Sequence, residues 1–151
     1  SSSLTSLAKA AQLKVPKGAK VSGSVSSASK AVCKVSGTKV VGVAPGKCTV
    51  TIKVTPKKGK ATKKSMSMNI TGTPSVRRGA SITMVNVGAA AGLTTGSGIS
   101  VKATVATSSM KNCKVSGSKI VGVKSGRCSV TVTVTSNSGA TQTKKVTIKV
   151  K

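Results

Sequence analysis

Hydrophobic residues follow two periods along this chain, one with helical spacing over short stretches and one that alternates over longer stretches. Near the start, the segment LTSLAKAAQL carries apolar residues that fall on one side of a helix. Ser3 stands directly before it as a candidate N-cap. The pattern predicts a short helix whose buried side is formed by Leu4, Leu7, Ala8 and Ala11.

After this helix the apolar residues recur at every second position. Val21, Gly23 and Val25 alternate with polar residues, and the segments VCKV and KVVGV follow, separated by a turn at Ser36-Gly37. A second turn at Pro45-Gly46 leads into two further alternating segments. Their apolar positions are Cys48, Val50, Ile52 and Val54, and then Met66, Met68 and Ile70. Strict alternation predicts antiparallel strands with one buried face and one wet face.

The same order of segments occurs twice. Residues 1–71 align with 81–151 without a gap, at a constant offset of 80, with 25 identical positions. In the second copy, MVNVGAAAGL keeps the helical spacing at Met84, Val87 and Ala91, although Gly88 weakens it. The alternating positions recur at Ile99, Val101, Ala103 and Val105, and at Val146, Ile148 and Val150. We therefore expect two copies of one domain, at 1–71 and 81–151.

Residues 72–80, GTPSVRRGA, lie between the copies, and their Pro, Gly and paired Arg are typical of a linker. Ser1 aligns with Ser81, so the first copy has no counterpart of the TPSVRRGA segment. Two interpretations follow: the chain is a processed or excised part of a longer array, or a neighbouring subunit supplies this segment in a polymer. We expect a repeating assembly of some kind.

Several short strands with turn signals in about 75 residues predict a small β-sandwich. The fold class expected from the pattern is all-β, with one short helix per repeat.

The segment VCKVSGTKVVGVAPGKCTVTIKV, whose part CKVSGTKVVGVAPGKC returns as CKVSGSKIVGVKSGRC, is similar to the closing half of the bacterial immunoglobulin-like repeats of the group 2 type, which occur in tandem on bacterial surface proteins. The Cys-containing, Lys-rich variant resembles repeats of secreted actinobacterial proteins. The chain lacks the family's usual aromatic core residue and has an added helix near each start. The matching positions are Gly42, Val43, Gly46, Val50 and Ile52, and Gly122, Val123, Gly126, Val130 and Val132. The resemblance implies two tandem immunoglobulin-like β-sandwich domains.

The four cysteines stand in two pairs with 14 residues between the members, Cys33 with Cys48 and Cys113 with Cys128. Four interpretations are open: a metal site shared by all four, a redox pair, free core thiols in a reducing cytosol, and one disulfide per copy. The absence of His, carboxylates and CxxC spacing disfavours the first two. We favour one disulfide in each copy, which implies an oxidising, extracellular setting.

The chain contains no Asp, Glu or His, so it lacks the side chains that most often act as general bases. No Ser-His-Asp or Cys-His group can form. An SxxK match at Ser27 to Lys30 is expected by accident in a chain this rich in Ser and Lys. Calcium sites of the EF-hand or cadherin kind need carboxylates, and the acid that catalyses Lys–Asn isopeptide bonds is missing. We expect no enzymatic activity, no catalytic or metal-binding residues and no cofactor.

Charge is the remaining functional clue, since 26 cations give a formal net charge of +26 at pH 7. Only three of them are Arg, and there are no aromatic residues, which disfavours sequence-specific nucleic-acid recognition. Lysines on wet strand faces, such as Lys53, Lys102 and Lys149, are equally explained by solubility and by protection of sheet edges. Non-specific contact with phosphates remains easy for lysine.

Two functions compete on these grounds. The leading interpretation is a non-enzymatic extracellular structural protein that self-associates into a stalk, layer or filament at the cell surface, with an anionic surface polymer as a partner. The alternative is a secreted polycation that binds teichoic acid, acidic polysaccharide or DNA non-specifically. No apolar run approaches the length of about 20 residues that a membrane-spanning helix needs.

Overall fold

A computed structural model describes all 151 residues of the chain. The structure is mostly β, with two short helices and several small sheets, which confirms the β-rich class and the helix near the start of each repeat. The chain forms two compact units. The first comprises Ser1–Ala44 and Cys48–Met68, and the second comprises Pro45–Lys47 and Asn69–Lys151.

The first repeat forms two sheets of three strands. One sheet has the order β1-β4-β3 and the other has the order β2-β5-β6. In chain order the elements are β1 (Ser2–Ser3), α1 (Leu4–Ala10), β2 (Lys20–Val25), β3 (Cys33–Ser36), β4 (Lys39–Gly42), β5 (Gly46–Thr55) and β6 (Thr62–Ile70). Strand β4 is antiparallel to both of its neighbours, and β2 is antiparallel to β5.

The second repeat forms one sheet of three strands, β8-β11-β10, and one of four, β7-β13-β12-β9. Its elements are β7 (Ser75–Val76), β8 (Ser81–Thr83), α2 (Met84–Ala90), β9 (Ser100–Val105), β10 (Cys113–Ser116), β11 (Lys119–Gly122), β12 (Gly126–Thr135) and β13 (Thr141–Val150). Strand β12 is antiparallel to β9 and β13, whereas β7 runs parallel to β13.

Hydroxyl caps start both helices. The Ser3 Oγ accepts a hydrogen bond from the Ser6 amide at 3.1 Å, as the sequence predicted for this N-cap. The Thr83 Oγ1 accepts one from the Asn86 amide at 3.2 Å. Each cap satisfies one of the backbone donors that the first helical turn leaves unpaired, so a helix of seven residues has a defined beginning.

Gly88 lies inside α2 and is buried. A Cβ at this position would lie 3.3 Å from Thr95 Cγ2 and 3.6 Å from Val132 Cγ1. The first repeat has Ala8 at the equivalent position, and that residue is also fully buried. The tighter of the two contacts is to Thr95, in the segment between α2 and β9, so the glycine allows this segment to pack closely on the helix.

Alternation on the long central strands holds as predicted. On β5 the inward residues Cys48, Val50 and Ile52 are fully buried, while the residues between them are partly or fully exposed. On β12 the inward positions Cys128, Val130 and Val132 are likewise fully buried. Both cores are built mainly from Val, Ile, Leu, Met and Ala side chains, because the chain has no aromatic residue.

Residues 72–80, which the sequence describes as a linker, contribute strand β7 to the four-stranded sheet of the second repeat. Pro74 and Val76 are buried. The Lys149 amide donates to the Pro74 carbonyl at 2.9 Å, and the Lys151 amide donates to the Val76 carbonyl at 2.9 Å. This segment is therefore part of the fold of the second repeat.

Strand β7 also covers Gly122, the last residue of β11. A Cβ on Gly122 would lie 2.8 Å from Val150 Cγ1, 2.9 Å from the Arg77 carbonyl oxygen and 3.1 Å from Val76 Cγ1. Gly122 is buried, whereas its counterpart in the first repeat, Gly42, is exposed. The difference extends along the last strand, because Met66, Met68 and Ile70 are half-buried where Val146, Ile148 and Val150 are buried.

We predict that Gly122→Ala destabilises the second unit by about 1–3 kcal/mol, because the added methyl group overpacks a site closed by backbone as well as by side chains. Gly42→Ala is the matched control, since the same glycine is exposed there and the change should stay within about 0.5 kcal/mol. The measurement is urea unfolding of the full chain, in which the amide NMR signals of each repeat report the unfolding of that repeat. Equal effects of the two substitutions would contradict the role assigned to β7.

Candidate interaction surfaces

Disulfides join the two sheets of each repeat. Cys33 on β3 is bonded to Cys48 on β5, with a Cα–Cα distance of 5.8 Å. Cys113 on β10 is bonded to Cys128 on β12, with a Cα–Cα distance of 6.0 Å. All four cysteines are fully buried. Each bond therefore ties a strand of the smaller hairpin to the central strand of the other sheet.

With every cysteine in a disulfide, no free thiol is present. The chain also contains no group of three or more His, Cys, Asp or Glu side chains placed to hold a metal ion. The cysteines act in this structure as cross-links, and no thiolate is left to serve as a ligand or a nucleophile.

A buried serine beside each disulfide is a structural feature that the sequence interpretation missed. The Thr49 amide donates to the Ser29 Oγ at 3.0 Å, and the Ser129 amide donates to the Ser109 Oγ at 3.0 Å. Each serine ends a single 3-10 turn and binds the central strand one residue after its cysteine. The available signal was the identity of Ser29 and Ser109 between the copies.

The SxxK match lies on the same turn in the first repeat. Ser27 and Lys30 are both exposed, at the two ends of the Ser27–Ser29 turn and its cap. The match thus coincides with a turn whose buried residue is Ser29, which has a structural role.

The outer sheet faces are rows of hydroxyl side chains interrupted by lysines. In the first repeat, Thr51 Oγ1 and Ser65 Oγ share a hydrogen bond of 2.7 Å across β5 and β6. In the second, Thr133 Oγ1 and Thr143 Oγ1 do so at 3.0 Å across β12 and β13. Cross-strand hydroxyl pairs of this kind stabilise a sheet modestly and leave a polar, uniform surface.

Cations cover the exterior. Every Lys and Arg side chain is exposed except Lys47, which is half-buried. Because the chain has no Asp or Glu, no side-chain anion balances any of them. The surface is therefore positive throughout and attracts polyanions of any geometry at low ionic strength.

No family model matches the chain, and no curated protein is significantly similar to it. None of the helices has the length and apolar character needed to span a membrane.

We predict that removing the first disulfide, through Cys33→Ala with Cys48→Ala, destabilises the first unit by about 3 kcal/mol, the chain-entropy value for a loop of this size. Amide NMR signals along β5 should disappear at lower temperature, while signals along β12 should persist. The double substitution avoids leaving a reactive single thiol.

The matched variant, Cys113→Ala with Cys128→Ala, should reverse this order and destabilise the second unit. Peptide mapping of unreduced protein checks the pairing directly. A Cys33–Cys113 link or four free thiols in fresh material would show that the cross-links described here are wrong.

We predict that stability rises with salt. Charge–charge terms between side chains are all repulsive, and folding brings the charges closer together. The screening length falls from about 30 Å at 0.01 M salt to about 8 Å near 0.15 M. The melting temperature, followed by far-ultraviolet circular dichroism, should therefore increase between about 10 and about 150 mM sodium chloride, the limits just given.

A control variant with fewer charges, Lys58→Gln with Lys64→Gln, should show a smaller increase with salt, because both lysines are exposed and the net charge is reduced. A melting temperature that stays constant or falls with salt in the unmodified chain would show that self-repulsion is not an important term.

Proposed function

We propose that this protein is a non-enzymatic extracellular structural protein, in which two tandem immunoglobulin-like β-sandwich modules form a subunit of a cell-surface stalk, layer or filament. The observation that carries the proposal is the duplication of one module in which a buried disulfide joins two small sheets. Modules in series suit a role in which length and resistance to unfolding matter more than a shaped cleft.

An extracellular setting is supported by the two disulfides. Bonds of this type persist in oxidising environments and are rare in reducing ones. They suit a domain whose core contains no aromatic side chain, because such a core buries little area per residue. The resemblance of segments 33–54 and 113–134 to bacterial surface repeats points to the same location.

Lack of catalysis is supported by the chemistry of the side chains. A general base that works near neutral pH would have to be a perturbed lysine or cysteine. The cysteines are cross-linked, and 22 of the 23 lysines are exposed. The remaining lysine, Lys47, is half-buried.

Self-association is supported by the edge strand of the first repeat. The sheet with the order β2-β5-β6 has β6 as an edge strand. Gly42 and the inward residues of β6 are correspondingly more exposed than their counterparts. An uncovered strand edge is a template for pairing with another polypeptide. A strand of a neighbouring subunit that paired with β6 would extend this sheet from one subunit to the next.

A second candidate function is a secreted polycation that binds anionic polymers. It is favoured by the exposure of 25 of the 26 cations and the absence of any side-chain anion. Binding of this kind is dominated by the release of counterions and falls steeply as salt rises.

We predict that the purified protein forms regular assemblies, visible by negative-stain electron microscopy, at about 150 mM salt, where repulsion is screened. Assemblies held by apolar and backbone contacts should survive up to about 1 M salt, where the screening length is about 3 Å. Sedimentation velocity at the same salt concentrations measures the fraction assembled. Compact monomers at every salt concentration, in native material as well, would contradict a structural role.

A polycation makes the opposite prediction. Co-sedimentation with an anionic polymer should be strong at low salt and absent near 1 M, with no assembly of the protein alone.

A further inference from the structure

The three arginines of this chain, Arg77, Arg78 and Arg127, belong to one end of the second repeat, although they lie up to 50 residues apart in sequence. Arg77 and Arg78 directly follow β7, and the backbone of Arg78 forms an isolated parallel β-bridge with Gly122. Arg127 is the second residue of β12. The remaining 23 cations are lysines spread over both repeats.

Strand register places two of these arginines on one face with two lysines. Arg127 lies directly opposite Lys149, and Lys149 is paired with Ser75 of β7. Val76 is buried, so alternation directs Ser75 and Arg77 outward, to the side of Arg127 and Lys149. Lys151, whose amide donates to the Val76 carbonyl, continues the outward series of β13. Adjacent strands are about 4.8 Å apart, so these four cations form a group that spans three neighbouring strands of one sheet face.

Like charges directly opposite each other on neighbouring strands are unfavourable. The sequence could have avoided this arrangement, as the first repeat shows. Its residues at the positions of Arg127, Lys149 and Lys151 are Lys47, Asn69 and Thr71, of which only Lys47 is charged. The group of four is therefore a property of the second repeat alone.

A concavity of about 700 Å³ lies on the same face and includes Arg127 and Lys149 in its lining. Three hydroxyl side chains, Thr73, Ser125 and Thr147, line it as well. Its volume is within the range of pockets for drug-sized ligands, which is larger than a single phosphate ion requires. Phosphate oxygens accept hydrogen bonds from guanidinium, ammonium and hydroxyl groups, and all three kinds of donor are present here.

We propose that this concavity, flanked by Arg77, Arg127, Lys149 and Lys151, binds consecutive phosphate groups of an anionic polymer. The inference rests on the second function proposed above and gives it a defined site. The ligand class is a flexible chain of phosphates or phosphodiesters, because it brings repeated oxygens to a group of cations and hydroxyls that has no aromatic surface for stacking bases.

The test is calorimetric titration of the full chain with short-chain linear polyphosphate at about 150 mM sodium chloride, where long-range attraction is screened. The variant Arg127→Gln with Lys149→Asn should bind at least about tenfold more weakly, because it loses two charge-assisted contacts. The control is Lys58→Gln with Lys64→Gln in the first repeat. Each variant removes two charges, from +26 to +24, so the control should bind within about twofold of the unmodified chain.

Chemical-shift mapping locates the bound polymer on the unmodified chain, so the result does not depend on whether a variant folds. Amide shifts should be confined to the segments 73–77, 125–127 and 147–151, and the equivalent segments of the first repeat should not respond. Arg127→Lys keeps the charge but loses the fork, and it should bind more weakly than the unmodified chain.

Three outcomes would overturn the site. If the two double variants lose affinity equally and the shifts are spread over both repeats, the protein is a non-specific polycation. That result would contradict the proposed site but not the second proposed function. If orthophosphate binds as tightly as polyphosphate, the proposal that the ligand is a polymer of phosphates is wrong. No binding of the unmodified chain at this salt concentration would remove the second function and the site together.

Discussion

The disulfide between the two sheets of each repeat is the interaction on which the rest of the structure depends. A core made of Val, Ile, Leu, Met and Ala buries less area per residue than one containing aromatic side chains. Domains of this size are marginal even with larger residues. Cys33–Cys48 and Cys113–Cys128 restrict the unfolded chain at the point where the smaller hairpin meets the central strand. The surface of hydroxyls and cations adds little stability of its own, so the fold depends on these two disulfides.

Repulsion between the cations opposes the stabilisation that the disulfides provide. The chain carries no Asp or Glu, so folding concentrates cations that only ions from the solvent can neutralise. This constraint links stability to the proposed binding of polyanions, since the same counterions that permit folding would be exchanged when a polyanion binds. The two proposed functions, a structural role and binding of polyanions, are therefore compatible. Subunits with this charge can approach one another only where salt or an anionic polymer screens them.

The connector between the repeats distinguishes two copies that are otherwise similar. As β7 it completes a four-stranded sheet, buries Gly122 and brings Arg77 beside Lys149 and Lys151. The first repeat, without such a strand, keeps the same glycine exposed and its last strand half-buried. One short segment thus accounts for the packing difference between the copies and contributes to the cation group on which the proposed phosphate site depends.

Period and duplication in the sequence determined the local structure: the alternation of Cys48, Val50 and Ile52 specified a strand with one buried face, and Ser3 specified the start of a helix. These properties depend on neighbours in sequence, so they can be predicted from it. Only the tertiary structure decided that β7 pairs in parallel with β13, that Ser29 and Ser109 anchor the central strands, and that Arg77 and Arg127 share one face of a sheet. These features arise from strand register across separations of 20 to 74 residues, where no short-range pattern specifies which segments meet.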